Sequence, residues 1–280
     1  ESNLFLAELT SKSGGSFKSF YLKNYFDKDS QRVNLINNNA QTLISNLKAF
    51  DGDDFDLSSS WSLQNNFVPK IIEDSIKLVY TKKLLNRYLV SKSLTFYSNS
   101  YKILCELDLR MVPSDLIENN LTISWLGGLK PTEQNIDDDQ LYFQTYSLLG
   151  GEKETFKVKE NKPESFTYNG SLEWSAIRTK YFTLAFLPKD PNSIRKTIVS
   201  GLKQDSSEVY NLSMVSRASE KAVFHMYLGP LEYDRIKEVG KGLEGIMDFG
   251  WSPVRPISKA VLLTLTKMHE YIPNYGYILV

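Results

Sequence analysis

Apolar and polar positions alternate along most of the chain. Clear runs are FKSFYL at 17–22, IKLVY at 76–80, KILCELDLRM at 102–111 and LTISWL at 121–126. Later ones are LYFQTYSLL at 141–149, YFTLAFL at 181–187, KTIVSGL at 196–202 and KAVFHMYL at 221–228. A period of two puts successive side chains on opposite faces of a strand, and these runs are rich in the β-branched and aromatic residues that suit a pleated, half-buried surface. Gly, Asn and Asp punctuate the gaps, including Gly-Gly pairs at 14–15, 127–128 and 150–151 that read as turns or bulges. No long helical pattern separates the runs, which argues against a parallel α/β sheet, and no internal repeat is visible. Up to about residue 228 the pattern predicts an antiparallel sandwich or barrel.

The period changes after Gly229. Pro230 stands where helices like to start, and Ile236, Val239, Leu243, Ile246 and Met247 recur at helical spacing. Gly240, Gly242 and Gly245 each weaken that helix by roughly 1 kcal/mol against Ala, so it depends on packing against the sheet or a neighbour. Gly250 and Pro253 then break the chain. In PISKAVLLTLTKMHEYI (256–272), Ile257, Val261, Leu265, Met268 and Ile272 fall on one helical stripe, widened by Leu262 and Leu263. Lys259, Thr266 and Glu270 lie opposite. Two readings fit this pattern. One is a helix packed on the sandwich; the other is an interfacial helix in the plane of a membrane, flanked by Trp251, Tyr271, Tyr275 and Tyr277, whose rings favour the headgroup region. The second assigns Trp251, Ile257, Lys259, Val261, Leu262, Leu265, Lys267, Met268, Ile272 and Tyr275 to the bilayer surface. Pro273-Asn274 ends the helix and Gly276 supplies a bend.

Composition narrows the function classes. Hydrophobic residues make up 41% of the 280, enough for a sizeable core. Thirty-three Lys and Arg balance 33 Asp and Glu, without the basic surplus that phosphate neutralisation demands, so no nucleic-acid partner is expected. Cys105 is the single cysteine, so no internal disulfide forms; its place on the apolar side of 102–111 makes it core rather than a nucleophile. His225 shares a strand face with Val223 and Tyr227, and His269 lies beside the polar sector of the last helix. Neither has neighbours at metal-ligand spacing, and no G-x-S-x-G elbow or phosphate-cradling glycine motif occurs. Asp51-Gly52-Asp53-Asp54-Phe55-Asp56 opens like a calcium loop but lacks the closing glutamate, and Asp137-Asp138-Asp139 is a weaker signal of the same kind. No metal and no other cofactor is expected, while a pair of separated carboxylates of the glycosidase type is left open. There is no basic-then-apolar leader and no apolar run of about 18 residues. The abrupt start at Glu1 and the apolar finish at Tyr277-Ile278-Leu279-Val280 read as cut ends of something longer.

Several short elements stand in a fixed order. Gly14-Gly15-Ser16-Phe17-Lys18-Ser19-Phe20-Tyr21-Leu22-Lys23-Asn24-Tyr25 comes first, then Trp125-Leu126-Gly127-Gly128-Leu129. Trp174, Arg178 and Tyr181-Phe182 follow, with Leu187-Pro188 behind them. Gly229-Pro230-Leu231-Glu232-Tyr233, Asp248-Phe249-Gly250-Trp251 and Asn274-Tyr275-Gly276 complete the series. Taken together this set resembles the large periplasmic domain of the YidC family of membrane protein insertases, with matches from residue 14 to residue 276. Tyr275 stands where the family more often has Trp, and Ser252-Pro253-Val254-Arg255 where bulky apolar residues are common.

The resemblance implies an elongated, twisted antiparallel β-sandwich, a supersandwich like that of galactose mutarotases, with C-terminal helices. It implies a division into a sandwich (1–228), a packing helix (229–250), a membrane-interface helix (251–273) and the start of a second transmembrane helix (274–280). It further implies a non-enzymatic scaffold or docking surface facing the periplasm at the bacterial inner membrane. The expected partners are the bilayer surface, the Sec translocon with its SecD and SecF accessories, and nascent inner-membrane proteins met through a transmembrane region. The family's functionally central Arg belongs to that region, so no residue here inherits its role. The alternative is a carbohydrate-binding or mutarotase-like sandwich, disfavoured because the two histidines lie in separate elements.

Overall fold

The computed structural model describes residues 1–27, 29–64, 72–133, 135–159, 161–204 and 207–247, and beyond these 260, 261, 264, 265, 267, 268 and 271. Strands dominate. In chain order they are β1 (Phe5–Thr10), β2 (Ser16–Phe26), β3 (Arg32–Asn34), β4 (Gln41–Ala49), β5 (Asp54–Phe55), β6 (Ser62–Leu63), β7 (Ser75–Leu84), β8 (Tyr88–Tyr97) and β9 (Lys102–Asp108). There follow β10 (Ile117–Leu126), β11 (Gln144–Leu149), β12 (Glu152–Phe156), β13 (Glu164–Asn169), β14 (Leu172–Arg178), β15 (Phe182–Pro188), β16 (Ile194–Gln204), β17 (Ser207–Ser216) and β18 (Ala222–Pro230). Two short helices, α1 (Ile136–Gln140) and α2 (Tyr233–Val239), and 3-10 turns at Pro191–Ser193 and Leu243–Ile246 accompany them.

The strands form a nine-stranded sheet, β12-β11-β14-β15-β18-β9-β8-β7-β6, a six-stranded sheet, β13-β16-β17-β10-β4-β5, and a small sheet, β1-β2-β3. The large-sheet pairings are antiparallel, as the alternation predicts. Register explains which residues meet in the core. Leu94 faces Cys105 and Cys105 faces Phe224, so one face of β8, β9 and β18 is apolar and buried. Burial pushes the Cys105 thiol up to about 12, in keeping with an inert core residue. The small sheet joins the two large ones: Phe17 of β2 lies 6.1 Å from Phe96 of β8 and 6.2 Å from Trp125 of β10, ring centre to ring centre.

The structure differs from the sequence pattern in three places. The run 102–111 is a strand only to Asp108, because Arg110 turns back onto that carboxylate at 2.7 Å, and Met111 is 70% exposed. The run 141–149 is a strand only from Gln144; Leu141 and Tyr142 belong to the turn after α1 and face solvent. The single packing helix expected within 229–250 is broken after Val239. Gly240, Lys241 and Gly242 have φ of 84°, 58° and 70°, a left-handed run that no α-helix contains, and the chain resumes as the second 3-10 turn.

Candidate functional site

The chain leaves the sandwich from one end of β18. Phe182 pairs with Pro230 and Lys102 with Tyr227 at that end, while Leu107 pairs with Ala222 and Pro188 with Phe224 at the other. Gly229 is there because nothing larger fits: a Cβ would lie 2.7 Å from Cγ of Tyr101. Tyr101 packs edge-on against Tyr227, whose hydroxyl donates to the Pro230 carbonyl at 2.7 Å. The Leu231 amide donates to the Tyr181 carbonyl at 2.7 Å. Glu232 then accepts from the Tyr25 hydroxyl and, at 2.6 Å, from Nε of Arg235, whose guanidinium stacks 5.4 Å above the Tyr101 ring. Burial, reinforced by the Glu232 carboxylate, pushes the Tyr25 hydroxyl far above its ordinary value, so Tyr25 stays a donor.

The helix α2 lays Ile236 on the outer face of the nine-stranded sheet, and the chain then turns back along β14. Side-chain hydrogen bonds hold this returning strap. Trp174 Nε1 donates to the Lys241 carbonyl at 3.0 Å, Lys153 Nζ to Gly245 at 3.1 Å and Arg178 to Ile246 at 2.8 Å. Lys241 itself donates to the Pro188 carbonyl. Trp174 and Arg178 are four apart on a strand, hence on one face. The strap thus starts near Pro188 and ends beside Arg178, back at the end from which β18 departs. Leu243 and Ile246 are buried beneath it. Arg178 is buried as well, with its guanidinium 5.6 Å over the Tyr142 ring, and its Nε finds no acceptor among the described residues.

Two buried ionic side chains, Asp139 of the triple-Asp run and Lys92, which the sequence pattern did not single out, organise the neighbouring loops. Asp139, fully buried, accepts from the amides of Thr132 at 3.0 Å, Glu133 at 3.4 Å and Lys180 at 3.2 Å, so it joins α1 to the 131–133 loop and the β14–β15 turn. The triple-Asp signal is therefore structural and not a cation loop. Lys92, also buried, donates to the carbonyls of Ser13 at 2.9 Å and Leu43 at 2.5 Å; burial draws its pKa down to about 8. On the open part of the outer face Glu106 accepts from Lys77 and Lys221 at 2.5 Å each and from Ser93 at 2.9 Å.

Of the membrane-interface set, Val261, Leu265, Lys267 and Met268 are described, and all four have helical backbone. Val261 is 51% and Met268 40% exposed, Leu265 is half-buried and Lys267 is exposed. Trp251, Ile257, Lys259, Leu262, Ile272 and Tyr275 lie outside the described residues, as does His269. His225 is half-buried; burial, and then Lys102, Lys241 and Lys189 around it, lower its pKa. Its neighbours are cations, not the carboxylate that acid–base chemistry on a sugar would call for. Among the described residues no three His, Cys, Asp or Glu side chains gather as metal ligands, and no helix is long and apolar enough to cross a membrane.

Fold and site define a two-layer antiparallel sandwich whose outer face is crossed by a C-terminal strap. A family model described as the YidC periplasmic domain matches residues 3–261, and the chain belongs to that family. A membrane protein insertase YidC from Chlorobium luteolum is 31% identical over 296 residues, an alignment covering 100% of this chain and 50% of that protein. The chain thus spans about half the length of the curated relatives it matches. Among solved structures, an α-N-acetylgalactosaminidase from Bifidobacterium bifidum in complex with GalNAc superposes with a TM-score of 0.54 at 11% identity, over 85% of this chain and 37% of that one. That likeness is one of fold. A galactose mutarotase related enzyme from Lactobacillus acidophilus reaches 0.48 at 7% identity, over 81% of this chain and 95% of that one.

Proposed function

We infer that this chain is the periplasmic scaffold of an insertase that integrates and folds proteins of the bacterial inner membrane. The match to the family over residues 3–261 carries the reading. The sandwich (1–228) serves as a docking body without catalysis of its own, and 229–250 is the strap that packs on it. Residues 251–273 lie in the membrane interface, and 274–280 open a membrane-spanning helix. In support, Val261, Leu265 and Met268 share a stripe, and the outer two of them are largely exposed rather than packed away. The Sec translocon and its SecD and SecF accessories are the partners on the periplasmic side. Nascent membrane proteins are met through membrane-embedded parts outside these 280 residues.

Flotation with vesicles of phosphatidylethanolamine and phosphatidylglycerol tests the interfacial element. Leu265→Asp with Met268→Asp lowers vesicle partition by about tenfold or more, since two apolar side chains no longer enter the interface. Unchanged flotation of a folded double variant removes the interfacial role.

A further inference from the structure

Large apolar side chains collect at the end of the sandwich to which the strap delivers the chain. Phe26 is 60% exposed, Ile136 44%, Leu141 68%, Tyr142 41% and Tyr181 48%. Phe26 and Tyr181 line one cleft of about 450 Å³. The Tyr181 turn is tied to α1, and so to Ile136 and the Leu141-Tyr142 pair, through Asp139. Tyr142 lies under the Arg178 guanidinium, which holds the Ile246 carbonyl at the end of the strap. A set of exposed large apolar side chains gathered at one end marks an interaction surface rather than ordinary solvent exposure.

Its chemistry is that of a headgroup region. Two half-exposed tyrosines present a ring and a hydroxyl, Lys180 sits 5.1 Å over the Tyr181 ring, and Lys157 reaches the Leu141 carbonyl at 2.8 Å. Glu133, Asp137 and Asp138 outnumber these two cations, so apolar burial rather than attraction to anionic lipid must drive the contact. Chain length allows the surface and a bilayer to meet. The segment from Met247 to Ala260 spans at most about 45 Å when fully extended, so a helix resting in the interface holds this end within that reach of it. A tethered contact acts at high effective concentration and needs little intrinsic affinity.

We propose that this end of the sandwich (Phe26, Ile136, Leu141, Tyr142 and Tyr181) is a second lipid contact that enters the headgroup region of the bilayer bound by the 256–272 helix. The proposal rests on the interfacial placement of that helix, and the experiment separates the two. Because Cys105 is fully buried, Leu141→Cys carries the accessible thiol for an environment-sensitive dye. On phosphatidylcholine vesicles, and equally on vesicles containing phosphatidylglycerol, the dye on the 280-residue chain brightens and shifts to the blue. No response on either, while the chain itself floats, overturns the proposal and leaves the surface to a protein partner. In flotation, Leu141→Asp with Tyr181→Asp lowers partition by about tenfold, whereas Leu85→Asp, an equally exposed leucine in the turn at the opposite end, leaves it unchanged. Equal losses for the two would mean that any exposed apolar residue suffices, and the proposal falls. Loss with Leu265→Asp and Met268→Asp but not with the sandwich variant keeps the helix and rejects the second contact. The converse keeps this surface and rejects the helix.

Discussion

A single hydrogen at position 229 decides how β18 meets Tyr101. With a Cβ there the methyl would stand 2.7 Å from Cγ and 3.0 Å from Cβ of Tyr101, atoms close to the backbone that cannot swing aside. Gly229→Ala therefore costs about 1–3 kcal/mol in urea unfolding, the usual range for overpacking, and shifts the near-ultraviolet signal of the tyrosines. Glu106 supplies a residue-scale pH dependence. Burial opposes its charge, but hydrogen bonds from Lys221, Lys77 and Ser93 win and hold its pKa at about 2, against an ordinary 4.5. A depressed carboxylate adds stability that is fully present above about pH 4.5 and is lost as pH falls toward 2. Urea midpoints of the native chain fall across that window; those of Glu106→Gln change less, and parallel curves would show that the network is not what titrates.

At the scale of elements, the strap behaves as a unit of its own. Its internal bonds are short-range, among them Leu243 N to Gly240 O, Gly245 N to Gly242 O and Met247 N to Glu244 O. The sheet holds it through side chains, of which Arg178 and Trp174 come from the same strand. Arg178→Met keeps the volume, removes the donor to Ile246 and the cation over Tyr142, and costs about 1–3 kcal/mol for the unpaired carbonyl. Hydrogen exchange reads where the loss falls. The amides of Leu243, Gly245 and Met247 exchange at least about tenfold faster while β9 and β18 amides keep their protection. A uniform change over the whole sandwich would mean that strap and sheet unfold together.

On the scale of the whole molecule, packing on the sandwich runs at least to Met247 among the described residues, while the hydrogen bonds described for 260–271 are local, Thr264 to Ala260 and Tyr271 to Met268. A chain ending at Met247 should keep one cooperative transition with a Tm within about 4 °C of the longer chain. A chain ending at Pro230 uncovers Trp174, Arg178 and the bed of Ile236, Leu243 and Ile246, and melts well below it. Calorimetry of the three chains checks both statements.

What the sequence alone determined follows from local periods. Alternation in the runs 102–111, 121–126, 181–187 and 221–228 marked strands, the first of which forms only as far as Asp108, and put Cys105 inside, because a side chain's face is set by its neighbours two residues away. The ordered elements from Gly14 to Gly276 led to the family for a similar reason, each being a short string readable without its partner. Residues acting over long separations stayed hidden. Arg178 and Ile246 are 68 apart, Tyr25 and Glu232 are 207 apart, and Lys92 meets Ser13 across 79 residues. Asp139 looked like part of a solvated acidic run, and nothing in its immediate neighbours distinguishes it from Asp137 and Asp138. Only the tertiary structure decided that it would be buried as a hub, that three left-handed residues would fold one predicted helix back into a strap, and that the chain would return to the end it had left. Those outcomes depend on sheet order and register, which bring distant backbone groups within about 3 Å of side chains that no local pattern connects.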